Sequence, residues 1–272
     1  MNKIRFISVL LVLVNSGFSF AARREDYDVK KVEEAKAAAA LTGEVKALRD
    51  PKPYLWLYQI LMPTEFKKTQ PDRTLKSFKV HLQDTYAAFP HPDEIRGELL
   101  WQPQNKLQNT YRTLTGKITY VGFFQKTYKY DVITLTSGSK IMRVKLHFKN
   151  ATAADLAQLT DKLKKAEDFW NASRWPRDFA YSFKFQIVEA AKDAHYSIQL
   201  KDKTRGPYDT YWSRAWGARS IAHEMGHMFG LGDEYETLTG RSDCLEVSLM
   251  CGSGGQMLHN YYFILRRLVA VK

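Results

Sequence analysis

The chain has 272 residues, of which 41 are lysine or arginine and 29 are aspartate or glutamate, giving a formal net charge of +12. Hydrophobic residues make up 44% and aromatic residues 13%, which is ample for a core and excludes a disordered chain. The basic balance favours weak association with anionic envelope polymers. The basic residues are spread along acid-containing sequence and match no nucleic-acid motif, so we expect no specific nucleic-acid partner.

Residues 1–21 have the pattern of a cleaved signal peptide. Lys3 and Arg5 precede an apolar run over 6–14, and residues 19–21 (Ser-Phe-Ala) place small side chains at the two positions that a signal peptidase reads. The run is shorter than the roughly 20 residues that a membrane span needs, and no later stretch qualifies. We therefore expect export to the periplasm or the medium, cleavage near Ala21 and a mature chain without a transmembrane segment.

Residues 22–137 are predicted to form a smaller N-terminal α/β region. Residues 25–48 are rich in Glu, Lys and Ala and predict a helix that ends before a pair of prolines. Aromatic residues and five prolines between 54 and 108 indicate short elements joined by turns. Strand-like stretches at 115–124, 128–136 and 140–148 follow and predict a hairpin or meander.

Residues 138–272 are predicted to form a second, mixed α+β domain. A strand over 141–148 precedes a helix from 153 to 171, and two strand-like stretches at 181–188 and 196–201 lead to a helix over 213–229. The first of these helices has apolar residues at helical spacing, which we expect to face the sheet: Leu156, Leu159, Leu163, Ala166 and Trp170.

Residues 223–235 read His-Glu-Met-Gly-His-Met-Phe-Gly-Leu-Gly-Asp-Glu-Tyr. On a helix, His223 and His227 lie one turn apart on one face, so both imidazoles reach one metal ion and Glu224 lies beside it. A zinc ion with three protein ligands keeps a position open for water and lowers the pKa of that water to about 7. The motif therefore predicts a hydrolytic Zn²⁺ site with a carboxylate base.

With Gly230 and Asp233, the longer pattern His-Glu-x-x-His-x-x-Gly-x-x-Asp resembles the metzincin metallopeptidases. It is similar to the small secreted snapalysin-type peptidases, in which aspartate replaces the usual third histidine. The resemblance implies that Gly230 ends the helix in a left-handed conformation and that Asp233 is the third ligand. Glu234 is the alternative third ligand if Gly232 lets the turn shift. The implied domain has a mixed twisted sheet, an active-site helix and a methionine turn.

The resemblance assigns the methionine turn to Met250, whose thioether would pack beneath the histidine rings. Cys244 and Cys251 bracket this turn, and they either form a disulfide in an oxidising compartment or remain buried thiols. His259 has no motif to support it and is interpreted as structural. No tyrosine occupies the position from which some metzincins stabilise the oxyanion.

Two further expectations follow from the resemblance. Residues 196–201 are expected to be a sheet edge, along which a substrate peptide would lie antiparallel. Residues 22–137 are either a pro-segment that covers the cleft or an accessory domain that stays attached. No cysteine precedes Cys244, so a cysteine switch is excluded.

These observations predict a secreted, monomeric, zinc-dependent endopeptidase. His223, His227 and Asp233 would bind Zn²⁺, and Glu224 would act as general base and later as proton donor. One alternative is a zinc-dependent amidase that acts on cell-wall peptides. Another is a catalytically silent, zinc-containing module that binds the envelope through its basic surface, although a structural metal has no use for Glu224.

Overall fold

The computed structural model describes residues 52–83, 89–102, 108–120, 124–177, 179–203, 210–235, 244–252 and 254–269. The predicted signal peptide and the helix predicted over 25–48 lie outside these residues. The described chain is α+β, as predicted, with helices packed on a mixed sheet of six strands.

The N-terminal part of the described chain consists of short helices, which confirms the expectation of short elements joined by turns. They are α1 (Lys52–Leu61), α2 (Thr64–Thr69), α3 (Pro71–Lys79) and α4 (Pro92–Leu100), with a 3-10 turn over Val80–Gln83. Pro71 and Pro92 stand in the first turns of α3 and α4, where a missing N–H group leaves no hydrogen bond unmade. Proline thus sets both helix starts.

The sheet is built around one central strand. Its members are β1 (Thr110–Tyr120), β2 (Phe124–Thr134), β3 (Lys140–Phe148), β4 (Tyr181–Ile187), β5 (Tyr196–Lys201) and β6 (Tyr211–Ser213). β1 and β2 form a long antiparallel hairpin, and the end of β2 pairs antiparallel with the first residues of β3. β4 and β5 both pair parallel with β3, and β6 pairs parallel with β5.

The predicted hairpin is confirmed, but its strands begin at 110 and 124 rather than at 115 and 128. The register pairs Thr110 with Thr134 and Tyr120 with Phe124, so β1 and β2 are paired over their full length. Residues 110–113 are exposed and show no apolar alternation, which is why the sequence pattern does not reveal the start of β1. The strands predicted at 140–148, 181–188 and 196–201 are confirmed to within one residue.

The expectation that residues 196–201 are a sheet edge is wrong. Gln199, Leu200 and Lys201 pair with β6, while Tyr196 to Ile198 pair with β3. β6 has only three residues, and its Tyr-Trp-Ser sequence is too short to show a strand period.

Helix α5 (Ala153–Ala172) begins at a capping box in which Thr152 accepts from the Asp155 backbone and Asp155 accepts from the Thr152 backbone. Its predicted stripe is buried, as expected, except that Leu156 is only partly covered. The Trp170 ring packs on Phe183 of β4 with ring centroids 5.3 Å apart. Among the described helices, none combines the length and apolar composition that crossing a membrane requires.

The motif helix, α6 (Ala218–Met228), begins at Ala218 and not at the predicted Ser213, because Ser213 belongs to β6 and a turn with Gly217 at the N-cap intervenes. The indole Nε1 of Trp170 donates to the Ala222 carbonyl, 2.9 Å away, and joins α5 to α6. The last helix, α7 (Leu258–Leu265), is almost wholly buried and continues into a 3-10 turn over Arg266–Leu268.

One hydrophobic core connects all of these elements. Leu57 and Phe78 from the N-terminal helices, Val144 from β3 and Ile264 from α7 are fully buried members of a single cluster. The predicted domain boundary at residue 138 falls in the turn between β2 and β3, within one continuous sheet.

Replacing Trp170 by leucine should lower the free energy of unfolding by about 3 kcal/mol, because the change leaves a cavity and removes the hydrogen bond from the indole to the Ala222 carbonyl. Urea denaturation followed by circular dichroism measures the loss. The matched control is Trp101→Leu, where the residue is 51% exposed and losing the ring's contact with the Lys140 ammonium should cost at most about 1 kcal/mol. Equal losses in the two variants would contradict the packing role of Trp170.

Candidate metal centre

Helix α6 ends in a glycine turn that reverses the chain. Gly230 has φ +88°, in the left-handed region that side chains with a Cβ resist. Its N–H donates to the His227 carbonyl at 2.8 Å, and the Leu231 N–H donates to the Gly226 carbonyl at 3.0 Å. This pair of bonds is the Schellman motif, and it sends the following residues back towards the helix.

A buried arginine from the end of the chain closes this helix terminus. Arg267 donates through Nη1 to the Phe229 carbonyl at 2.9 Å and through Nη2 to the Gly230 carbonyl at 2.8 Å. Its guanidinium also lies over the Tyr128 ring, 4.4 Å from the ring centroid. A cation at the negative end of a helix is favourable, and here it occupies carbonyls that the helix itself leaves unpaired. The sequence gives no local signal for this contact, because Arg267 lies far along the chain from α6.

The reversed chain brings a carboxylate to the two motif histidines. Asp233 Oδ1 lies 3.1 Å from His223 Nε2 and 3.1 Å from His227 Nε2. The two imidazole rings are perpendicular, with centroids 4.9 Å apart. Three ligand atoms of the types that zinc prefers therefore converge on one point.

Backbone carbonyls fix the orientation of both imidazoles. His223 Nδ1 donates to the Leu249 carbonyl at 2.7 Å, and His227 Nδ1 donates to the Leu231 carbonyl at 2.8 Å. Because a carbonyl only accepts, each Nδ1 must carry the proton. Each Nε2 lone pair is left for a metal, which is the usual arrangement of metal-binding histidines.

The charges of the cluster keep the Asp233 carboxylate ionised. Burial would raise the pKa of Asp233, but the charge of His227 and the hydrogen bonds from both histidines hold that pKa well below its usual value. Burial likewise would lower the pKa of His223, but the hydrogen bond to Asp233 and the charges of Asp233 and Glu224 raise the pKa to about 9. A metal ion that binds here near neutral pH must therefore displace a proton.

Glu224 lies beside the metal-binding atoms and has a perturbed acidity. Burial raises the pKa of Glu224, while the charges of the two motif histidines and of Lys126 on β2 oppose that rise. Its side chain is half-buried, whereas that of Met225, the next residue along the helix, is fully buried. A carboxyl group with a raised pKa is suited to accept and return a proton near neutral pH.

The predicted methionine turn lies against α6. Met250 is fully buried, and a side chain added at Gly226 would overlap its sulfur atom. Cys244 and Cys251 form a disulfide across a sequence separation of 7 with Cα atoms 5.8 Å apart, so the paired alternative is the correct one. The closed loop contains Leu249, whose carbonyl holds His223.

Glu234, the alternative third ligand, and His259 both lie away from the three converging atoms. Glu234 points to a different cluster, which includes His259 and His81. Tyr261 donates to the Trp170 carbonyl at 3.0 Å, so it is part of the core. Tyr235, in contrast, stacks on His223 with ring centroids 6.0 Å apart.

Comparisons with protein-family models, with curated proteins and with solved structures found no match to this chain. The case for a function is therefore built on the motif and on the arrangement of its side chains.

Replacing Gly230 by alanine should lower the free energy of unfolding by at least about 1–2 kcal/mol, because an L-residue is strained at this φ. The new Cβ would also lie 2.7 Å from Arg267 Nη2 and 2.8 Å from Tyr128 Cδ1. Chemical denaturation measures the effect. The matched control is Gly97→Ala in α4, where a Cβ meets no atom within 4 Å and the helix should gain about 0.5–1 kcal/mol. A neutral Gly230→Ala variant would contradict this account of the turn.

Removing the disulfide with the double change Cys244→Ser and Cys251→Ser should lower the free energy of unfolding by about 2–3 kcal/mol, as loop closure predicts for a short loop. Thermal unfolding with and without reductant measures the loss. The oxidised wild type should fall to the variant's stability when reductant is added, and the variant should not respond. A response of the variant to reductant would show that the effect has another origin.

Proposed function

We propose that this chain is a secreted zinc-dependent endopeptidase of the metzincin type, with His223, His227 and Asp233 as its metal ligands. The observation that carries the proposal is the convergence of two imidazole Nε2 atoms and one carboxylate oxygen at 3.1 Å beside the motif glutamate. Donor atoms at the corners of a tetrahedron around zinc, with bonds of about 2.0–2.1 Å, lie about 3.3 Å apart. The spacing thus suits zinc without rearrangement of the side chains.

The donor set also suits a catalytic rather than a purely structural metal. Three protein ligands leave one position for water or substrate, whereas structural zinc sites have four protein ligands. A zinc ion on these ligands would supply a Lewis acid that activates water and polarises a peptide carbonyl. The His223 side chain is 12% exposed while those of His227 and Asp233 are each 4% exposed, so the approach for substrate lies on the His223 side.

The role of Glu224 is proton transfer. Because Glu224 follows His223 on α6, its carboxylate would lie beside the attacking water and would take a proton from it as the water adds to the carbonyl. The same carboxyl group then donates that proton to the departing amine, and the glutamate returns to its initial state. The charge of Lys126 favours the ionised form of Glu224 that must begin each cycle.

The helices from residue 52 onward support the accessory-domain alternative over a removable pro-segment. Ser77 Oγ accepts from the Leu245 N–H at 2.9 Å, and the Pro90 carbonyl accepts from Tyr262 Oη at 2.9 Å. These bonds join buried residues of α3 and of the segment just before α4 to the C-terminal part of the described chain. Cleavage near residue 137 would expose the shared apolar core, so we infer that these helices remain in the active protein.

Glu224→Gln should retain zinc and lose at least about 100-fold in peptide cleavage, because the amide keeps the shape of the side chain but cannot accept the proton. Zinc content and cleavage of a peptide library are measured on the same sample. The matched control is Glu246→Gln, an exposed glutamate outside the cluster, which should keep full activity. His223→Ala should lose both activity and the catalytic zinc.

Parallel zymograms on casein and on purified cell wall separate the enzymatic alternatives. Cleavage of casein that depends on Glu224 supports the endopeptidase, whereas cleavage of cell wall alone supports the amidase. Full activity in a zinc-loaded Glu224→Gln variant would contradict the assigned role of this residue. Zinc binding without any cleavage, together with retention on an anionic polymer, would favour the envelope-binding module.

A further inference from the structure

A second cluster of metal-binding side chains lies in the interior. It consists of His81 from the 3-10 turn after α3, Glu234 from the chain just beyond Asp233, and His259 from α7. Glu234 Oε1 lies 3.0 Å from His81 Nε2 and 2.7 Å from His259 Nε2. The three side chains are 1%, 0% and 0% exposed, respectively, so three distant segments of the chain place these groups together out of contact with solvent.

The hydrogen bonding within this cluster is uneven. Glu234 Oε1 also lies 3.0 Å from Ser248 Oγ and 3.1 Å from Asn260 Nδ2, which gives this one oxygen four polar neighbours. The other oxygen, Oε2, is buried and has no hydrogen-bond partner in the described part of the chain. A carboxylate oxygen has about two lone-pair sites, so hydrogen bonding alone crowds one oxygen and leaves the other unsatisfied. A cation bound among these atoms would relieve the crowding at Oε1 and give Oε2 a partner.

From this arrangement we infer that His81, Glu234 and His259 form a second, structural binding site for a divalent transition metal, with zinc as the best match. The donor set is the same as in the first cluster, two imidazole nitrogens and one carboxylate oxygen, at similar spacing. Imidazole with carboxylate is suited to zinc and neighbouring first-row metals. The second oxygen of Glu234 is available as a further donor, which would bring the donor atoms to four and leave no position for water or substrate.

The burial of the cluster assigns it a structural role. No ligand is exposed by more than 1%, so neither water nor a peptide reaches this point as it does the His223 side of the first cluster. A metal here would join the N-terminal helices, the turn after α6 and α7. Because Glu234 directly follows Asp233, the same metal would fix the turn that presents Asp233 to the catalytic site.

The competing arrangement is a metal-free network. In that case Ser248 and Asn260 donate to Glu234, and the nearby charge of Arg266, which acts on His81, helps to balance the buried carboxylate. Neither His81 Nδ1 nor His259 Nδ1 has a partner among the described residues, in contrast to the two motif histidines. The second site therefore lacks the carbonyl contacts that strengthen the first, and we expect it to bind zinc more weakly.

The number of zinc ions per folded chain tests the inference. Protein without a histidine tag is loaded with Zn²⁺, passed through a desalting column and analysed by inductively coupled plasma mass spectrometry, with circular dichroism as the check on folding. We expect two zinc ions in the wild type, one in the double variant His223→Ala/His227→Ala, and one in His81→Gln. His147→Gln, the same change at a histidine in neither cluster, should keep two.

The double variant decides the question even if His81→Gln does not fold, because it leaves the second cluster untouched. One zinc per chain in that folded variant supports the site, and loading with Co²⁺ should then give the visible absorption of a tetrahedral nitrogen and oxygen site. One zinc in the wild type and none in the folded double variant would overturn the inference in favour of the metal-free network. The zinc count does not depend on peptidase activity. A protein that binds two zinc ions but cleaves no peptide would therefore count against the proposed enzyme and not against this site.

Discussion

The end of helix α6 is the constraint on which the candidate catalytic site depends. The chain must turn back within the few residues between His227 and Asp233, and it does so through the left-handed conformation of Gly230. Arg267 makes this reversal stable by donating to the Phe229 and Gly230 carbonyls. A buried guanidinium is costly to desolvate, and it is tolerated here because carbonyls and the Tyr128 ring surround it.

The turn beyond Gly230 is held by residues on both of its sides. Asp233 faces the motif histidines, while the next residue, Glu234, faces the interior and contacts His81 and His259. The Glu234 N–H also donates to the Met250 carbonyl at 2.9 Å, which joins the ligand turn to the methionine turn. The position of Asp233 therefore depends on buried contacts on the side of the turn away from the motif histidines.

The elements that sequence reasoning predicts well are those in which a local pattern determines the structure. The stripe of α5 and the alternation of β3 are of this kind, as is the spacing of His223 and His227 on one helix face. Strand β6 is not predicted because three residues are too few to show a strand period. Its presence explains both why α6 begins later than predicted and why β5 is not the expected sheet edge. In both cases the pairing of β5 with β6 overrides what the local sequence indicates.

The contacts that could not be predicted join residues far apart in the chain. Arg267 binds the Gly230 carbonyl, which lies 37 residues earlier at the end of α6, and His81 contacts Glu234 across a separation of 153 residues. A basic residue near the C-terminus and a lone histidine after a short helix carry no signal of such partners. For Glu234 the sequence did offer such a signal. Two adjacent acidic residues in an extended segment point to opposite sides of the chain, so only one of them can face the motif histidines.

Exposure separates the two clusters, which have the same donor atoms. A metal that acts on a peptide needs a free position and a base that the substrate can approach, and the first cluster offers both through His223 and the half-buried Glu224. The second has no exposed ligand, and among the described residues its only carboxylate is the one engaged by His81 and His259. The first cluster is therefore the one suited to the proposed chemistry, and the second is suited to holding the fold.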